Sequence, residues 1–310
     1  ELSRYVSKHW RNIGSENHSN EPSVSPLPSN SASQSVSISI VSYDSPSQQL
    51  AMAIASVGWA IEKLGPAGEG AASSLTLVDN SGSGSMDTEA LSAPLAKLEA
   101  LGCSFRLIAG HGNVGYGAGQ NLAFASAHHD FHVFMNPDVE LDSESLKAGL
   151  AYLADNPDVA MVSPYAKDDA GNKQFLCKRY PTLFDFFLRG FMPAPVRRLF
   201  DERLARFEMR DLSDSVPSKG IPIISGCFML CRSSSIEKVA GFDPGYFLYF
   251  EDFDLSLRVG ESASLAYLPA MRIRHAGGGS ARKGAKHIKM FLQSARRFFS
   301  SYGWRWFKQL

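Results

Sequence analysis

The residues best suited to chemistry sit where apolar runs end. "FMNPDVEL" places Asn136-Pro137-Asp138 directly after a strand-like run, and Pro137 bars continuation of a ladder. Oxygens of Asn136 and Asp138 at such a point suit a hard divalent cation completed by phosphate oxygens and water; a solvated turn is the alternative. His275 in "IRHAGGGSAR" follows another strand-like run, which makes it a candidate further ligand beside a carboxylate. The loop "AGHGNVGYGAGQN", residues 109–121, holds glycines at 110, 112, 115, 117 and 119 together with Asn113 and Asn121. Backbone of that kind can approach a nucleotide or phosphate closely, with loop packing as the other reading.

A further stretch sets carboxylates among rings. In "YFLYFEDFDLSLRVG", residues 246–260, Glu251, Asp252 and Asp254 interrupt an apolar run. Carboxylates are rarely buried without a partner. A helix N-terminus accounts for them simply: acids in a first turn complement the dipole, and Asp252 or Asp254 can cap it. Arg258, four residues after Asp254, then makes an i,i+4 pair. The segment alone does not choose between this and a reactive carboxylate.

These residues need a scaffold. "VSISIVSY", "SLTLVDNSG", "SFRLIAG" and "FHVFMNPDV" read as strands, separated by helical stretches near 47–63, 87–101 and 117–129. Further on, "LKAGLAYLADNP" and "SSIEKVAGF" read as helices, while "VAMVSP", "IPIISGCFMLCR" and "AYLPAMRIR" read as strands. Residues 165–222 read as irregular apart from a charged helical stretch. Alternating strands and helices predict an α/β fold with a Rossmann-like, mostly parallel sheet and flanking helices. Ligands bind such sheets beyond the carboxyl ends of their strands. Those ends carry Tyr43 and Asp44, then Asp79 and Asn80, then Asn136 and Asp138.

The totals agree with a globular domain. The chain has 310 residues, 44% hydrophobic and 11% aromatic. No apolar run is long enough to span a membrane, and no secretion signal opens the chain. Residues 1–35 read as a linker or disordered lead-in, with "ELSRYVSKHW" as the end of an upstream domain. Residues 36–281 read as the catalytic domain and 282–310 as a basic amphipathic C-terminal helix. The net charge is zero, yet no acid follows Glu261 while ten Lys and Arg do. That asymmetry predicts an anionic partner, with an anionic membrane surface as the sharper reading and docking on the chain's own core as the alternative. Cys103, Cys177, Cys227 and Cys231 form no CxxC pair; buried free thiols are expected, with Cys227 and Cys231 on one side of a strand.

The order "VSY … VDNSG … GNVGYGAGQN … MNPDV … SGCFMLCR … GFDPGYFLYFEDFDLSLRV … RHAGGGS" resembles the inverting GT-A glycosyltransferases of family 2. It is most similar to the bacterial rhamnosyltransferases that build surface polysaccharides. The resemblance spans residues 36–307 and implies a GT-A fold. It implies a nucleotide-sugar site at Tyr43, Asp44, Asp79, Asn113, Gly115, Gly117, Asn121, Asn136 and Arg258, with Asp79 on the base. Asp138 and His275 would hold Mg²⁺ or Mn²⁺, Asn136 standing where the family's DxD motif has its first acid. Asp252 matches the catalytic base, with Glu251 beside it. Apolar walls raise a carboxylate's pKa toward useful basicity, as an inverting transfer requires. The implied donor is dTDP-rhamnose and the acceptor lipid-linked or an oligosaccharide, in a cytoplasmic enzyme with peripheral attachment to the inner membrane face. No nucleic-acid partner is expected.

Two rivals remain. Gly110-x-Gly112-x-x-Gly115 spells the dinucleotide fingerprint of a nicotinamide-dependent oxidoreductase, but follows a third strand instead of a first. Asn136 also suits a sugar-binding module that has lost catalysis.

Overall fold

A computed structural model describes residues 34–65, 72–81, 87–277 and 284–307. The expected lead-in up to residue 33 and the "GGS" after Gly277 lie outside the described residues.

The chain runs β1 (Val36–Ser42), α1 (Ser47–Glu62), β2 (Ser73–Asp79), α2 (Thr88–Ala100), β3 (Ser104–Ile108), α3 (Tyr116–Phe124) and β4 (Phe131–Met135). Next come β5 (Val139–Leu141), α4 (Ser145–Asp155), β6 (Val159–Lys167), β7 (Lys173–Gln174) and β8 (Cys177–Lys178). Three short helices follow: α5 (Leu183–Phe191), α6 (Ala194–Leu199) and α7 (Asp201–Phe207). The chain then forms β9 (Ser218–Lys219), β10 (Ile223–Ile224), β11 (Phe228–Arg232), α8 (Ser233–Lys238), α9 (Glu251–Gly260), β12 (Ser264–His275) and α10 (Ala285–Tyr302).

The main sheet has the order β3-β2-β1-β4-β11-β6-β12-β5. Its β1, β2, β3 and β4 pair in parallel. β11 runs antiparallel between β4 and β6, while β12 runs parallel to β6. Period-2 alternation puts a core on each face. Val133 and Met135 pack with α1, α2 and α4; Phe134 packs the other way, with Phe242, Leu255 and Val259. The α/β architecture is the one expected.

Two local expectations change. "IPIISGCFMLCR" is not one strand: β10 pairs with β8 in a separate ribbon, and the main sheet resumes at Phe228. Cys227 therefore precedes β11, although all four thiols are buried and free. Residues 165–222 are also more regular than expected. α5 starts at a capping box in which Thr182 Oγ1 accepts from Asp185 N–H and Asp185 accepts from Thr182 N–H.

α10 docks by its apolar face. Phe298 and Phe299 are fully buried with Tyr246 and Phe250, and Phe186, Phe253 and Phe291 pack beside them. The chain after it returns to α5, where Arg305 O accepts from Leu183 N–H at 2.9 Å. Core docking thus accounts for these rings of the tail.

Candidate active site at the carboxyl edge of the sheet

β1, β2 and β4 end side by side, so the polar residues after them share one edge. Asp79 closes β2 nearly buried, its Oδ1 accepting from Ser81 N–H at 2.8 Å. Asp44, in the left-handed region with φ 49°, donates its N–H to Ser81 Oγ at 3.0 Å. Between these two ends lies a cavity of about 260 Å³, lined by Ser42, Asp44, Ser47, Ser81 and Asp87 among others. Tyr43 stands exposed beside Asp44. Asn80 lies behind, joining His111 Nε2 at 2.9 Å to the Gly115 carbonyl at 2.9 Å.

The glycine loop serves the protein's own packing. Gly115 has φ +90°, and a Cβ there would stand 2.3 Å from the Phe247 carbonyl oxygen. That same carbonyl accepts from Tyr116 N–H at 3.1 Å. A Cβ on Gly117 would press on Phe242 and approach Glu251. These two glycines let the loop close onto residues 242–251. Asn113 Oδ1 accepts from Gly115 N–H. The dinucleotide reading is corrected accordingly: the loop follows β3, the edge strand, and Gly115 meets a backbone carbonyl of the chain itself.

Asn121 and Arg258 are also engaged by the protein. Both ends of the Asn121 amide bond the Phe242 backbone, at 2.9 and 2.7 Å. Arg258 donates to Asp254 Oδ2 at 2.8 Å and to the carbonyls of Val239 and Gly241, while Tyr302 donates to Asp254 Oδ1 at 2.8 Å. For Asp254 and Arg258 the simple i,i+4 reading is the correct one.

Asp252 behaves differently. Neither it nor Asp254 caps α9, whose N-cap Phe250 has no side-chain hydrogen bond. Tyr249 and Phe250 enter the helix at φ 72° and 66°, a conformation that costs non-glycine residues about 1–3 kcal/mol each. This strained entry points Asp252 Oδ2 at Gly226 N–H, 2.8 Å away, while Oδ1 accepts from Phe253 N–H at 2.9 Å. Burial raises the Asp252 pKa, opposed by these two bonds and by the charge of Lys178. Glu251, buried with Oε2 lacking a partner, is pushed up to about 8 by burial and then by Asp252.

The next residue reaches the other half of the site. The Cys227 carbonyl accepts from Asn136 N–H at 2.8 Å, and pairing of His275 with Val139 brings β12 beside this turn. Asp138 Oδ2 lies 3.5 Å from His275 Nε2, and its Oδ1 is buried without a hydrogen-bond partner. Gln174 Nε2 donates to the His275 carbonyl at 3.0 Å, so its Oε1 faces His275 Nδ1 at 2.6 Å as acceptor. Nδ1 therefore carries a proton, which leaves Nε2 as the ring nitrogen that faces the Asp138 carboxylate. A carboxylate with an orphaned oxygen beside an imidazole nitrogen whose ring is fixed from the other side fits a divalent cation. Among the described residues, no group of three or more His, Cys, Asp or Glu could hold a metal. Phosphate oxygens and water would complete the shell.

Sequence reasoning missed Gln174 and Gly226. Gln174 sits on a two-residue strand and left no signal. Gly226 did leave one: an isolated glycine within a strand pattern marks a bulge or a close approach, and a Cβ there would stand 3.0 Å from Asp252 Cβ.

Residues 77–240 match the family described as Glycosyl transferase family 2. The rhamnosyltransferase WbbL of Escherichia coli K12 is 27% identical over 199 residues, 61% of this chain and 71% of that protein. The N-acetylglucosaminyl-diphospho-decaprenol L-rhamnosyltransferase of Mycobacterium tuberculosis is 26% identical over 216 residues, 66% of this chain and 69% of that one. Among solved structures, GalNAc-T7 with UDP, GalNAc and Mn²⁺ superposes with a TM-score of 0.58 at 13% identity. The match covers 87% of this chain, which spans about half (48%) of GalNAc-T7, and is a likeness of fold.

Proposed function

Because the chain belongs to glycosyl transferase family 2 and has the GT-A fold, we propose that it transfers L-rhamnose from dTDP-rhamnose, with inversion, to a hydroxyl of a lipid-linked or oligosaccharide acceptor. The observation that carries the mechanism is the Asp252 carboxylate, its pKa raised by burial and its Oδ2 held by Gly226 N–H, next to Cys227 whose carbonyl holds the Asn136–Asp138 turn. Rhamnose and a lipid-diphosphate acceptor are suggested by what the two relatives are named for.

In this reading the nucleoside lies in the cavity between Asp44 and Ser81, with Asp79 behind Ser81 and Tyr43 next to Asp44. Asp138 and His275 would hold Mg²⁺ or Mn²⁺, whose chemistry when bound is to offset negative charge on the leaving diphosphate. The cation of GalNAc-T7 is Mn²⁺. Asp252 takes the proton of the acceptor hydroxyl as that oxygen attacks the anomeric carbon from the face opposite the diphosphate. Burial and the neighbouring Asp252 favour the protonated form of Glu251 beside it. Arg258 and Asn121 act here as braces of α9 and residues 241–242, outside the donor set. Asn113, Gly115 and Gly117 shape the loop over the nucleotide.

The membrane reading moves to another face of α10. With Phe298 and Phe299 buried, Lys286, Ile288, Lys289, Leu292 and Arg296 face outward, and Trp304 and Trp306 are exposed beyond them. A basic face with isolated apolar side chains suits an anionic leaflet. Tyr249 OH lies 3.0 Å from His287 Nδ1, so this face begins next to the segment leading to Asp252. No helix among the described residues is long and apolar enough to cross a membrane.

The test is a screen of nucleotide sugars for nucleoside diphosphate release with undecaprenyl-diphospho-N-acetylglucosamine as acceptor. Fastest turnover with dTDP-rhamnose is expected; faster turnover with UDP-glucose or UDP-galactose overturns the donor.

A further inference from the structure

The strained entry to α9 needs something to hold it, and α10 supplies part of the answer. Tyr249 and Phe250 both lie in the left-handed region, at φ 72° and 66°. Non-glycine residues keep such angles only where the surrounding structure fixes the backbone on either side. Before them, the Phe247 carbonyl accepts from Tyr116 N–H of α3 at 3.1 Å. After them, the Phe250 carbonyl accepts from Asp254 N–H at 2.9 Å, a bond of the first helical turn. Between these two, the Leu248 carbonyl accepts from Ser294 Oγ of α10 at 2.8 Å.

Ser294 is out of place unless that bond matters. It is nearly buried, on a face of α10 otherwise built from Phe291, Ala295, Phe298 and Phe299. A buried hydroxyl weakens such packing when it has no partner. Its neighbours on the helix engage the same segment. Phe291 meets the Tyr249 and Phe250 rings at 5.7 and 5.3 Å, and Phe298 meets Phe250 at 5.2 Å. Arg297 pairs with Asp243 at 2.6 Å, and Tyr302 donates to Asp254 at 2.8 Å. Ser294 is the one whose side chain bonds the backbone next to the left-handed pair.

We propose that Ser294 is a positioning residue for the transfer, which fixes the Leu248–Tyr249 peptide and so holds the turn from which α9 presents Asp252. The inference rests on Asp252 being the base. The Leu248 carbonyl belongs to the rigid peptide plane whose rotation is the φ angle of Tyr249. Without the hydroxyl that plane can relax toward a less strained region, and the first turn of α9 moves with it. Asp252 then loses its alignment with Gly226 N–H. The cavity between Asp44 and Ser81 is built by other elements and keeps its shape. The loss therefore falls on the chemical step and spares donor binding.

The test is kcat against donor KM for Ser294→Ala, using the nucleotide sugar turned over fastest in the screen above. Alanine favours the helix, so α10 itself is not weakened. A fall in kcat of about 10-fold is expected, the contribution of one buried hydrogen bond. Donor KM and nucleoside diphosphate affinity, the latter read by calorimetry, should stay within about twofold of wild type. Tyr180→Phe is the control for a merely loosened tail. It removes the hydroxyl that bonds the Tyr302 and Gly303 carbonyls, each at 3.0 Å, and leaves the Leu248 bond in place. Its kcat should stay near wild type. An unchanged kcat in Ser294→Ala, a loss carried by KM instead, or an equal fall in Tyr180→Phe overturns the inference. So does a further loss of the same size when Ser294→Ala is added to Asp252→Asn, since nothing is then left to position. Transfer near wild type by Asp252→Asn alone instead removes the base assignment beneath it.

Discussion

Gly226 N–H and Asp252 Oδ2 meet at 2.8 Å, and that contact aligns the two halves of the site. Cys227, the next residue, holds Asn136 through its carbonyl. Two adjacent peptide groups therefore fix the carboxylate on α9 and the Asn136–Asp138 turn after β4 in one frame. Placing the proton acceptor and the leaving group on opposite sides of a sugar requires that registry.

The cation pair yields the first prediction. Asp138→Ala and His275→Ala are expected to abolish Mn²⁺ binding in the presence of nucleoside diphosphate, measured by calorimetry. Gln174→Leu should weaken it about 10–100-fold, because the imidazole loses the partner that fixes its tautomer. Full Mn²⁺ affinity in Asp138→Ala, or full activity after exhaustive chelation, contradicts the assignment.

Gly115→Ala is expected to destabilise the fold by roughly 2 kcal/mol or more. The position combines φ +90° with a carbonyl oxygen 2.3 Å from the new Cβ. Urea unfolding measures it directly. A stability within a few tenths of wild type would mean that the loop does not close on Phe247.

How much of this was legible in sequence follows from the physics of each part. The strand ends at Asp79 and Asn136 were readable because alternating apolar runs stop there. Asp252 stood out because carboxylates do not belong among rings. The Asp254–Arg258 pair was readable from its i,i+4 spacing, but the bond from Tyr302 to Asp254 was hidden, since Tyr302 lies 48 residues away. The split of "IPIISGCFMLCR" was hidden likewise, because its apolar pattern suits either one strand or two. Gly115 and Gly117 looked ligand-facing, yet their neighbours are Phe247 and Phe242, distant in sequence.

Glu251 makes stability depend on pH. Its folded pKa, about 8, is above its ordinary value of 4.5. Between these two values the native state holds a proton that the unfolded state has released, so stability falls as pH rises through this window. Glu251→Gln is expected to flatten that slope and to gain most over wild type near pH 8. Urea midpoints from pH 4 to 8.5 decide it. Parallel curves for the two proteins contradict a buried, protonated Glu251.

The outward face of α10 is testable by flotation. Binding to phosphatidylglycerol vesicles should weaken steeply between low and physiological salt, since each Lys or Arg contributes about 1 kcal/mol near an anionic leaflet. Replacing Lys286, Lys289 and Arg296 with Gln should abolish it without unfolding the helix. Arg297 is left alone because it pairs with Asp243 at 2.6 Å. Wild-type protein that stays unbound at low salt rules the surface out.

The most direct test of the central claim is single-turnover transfer by Asp252→Asn. The amide keeps the shape of the side chain and can still accept from Gly226 N–H, but cannot take a proton. The account predicts a chemical step slowed by at least ~100-fold, with donor affinity close to wild type. Turnover near wild type contradicts Asp252 as the base and, with it, the mechanism proposed for this chain.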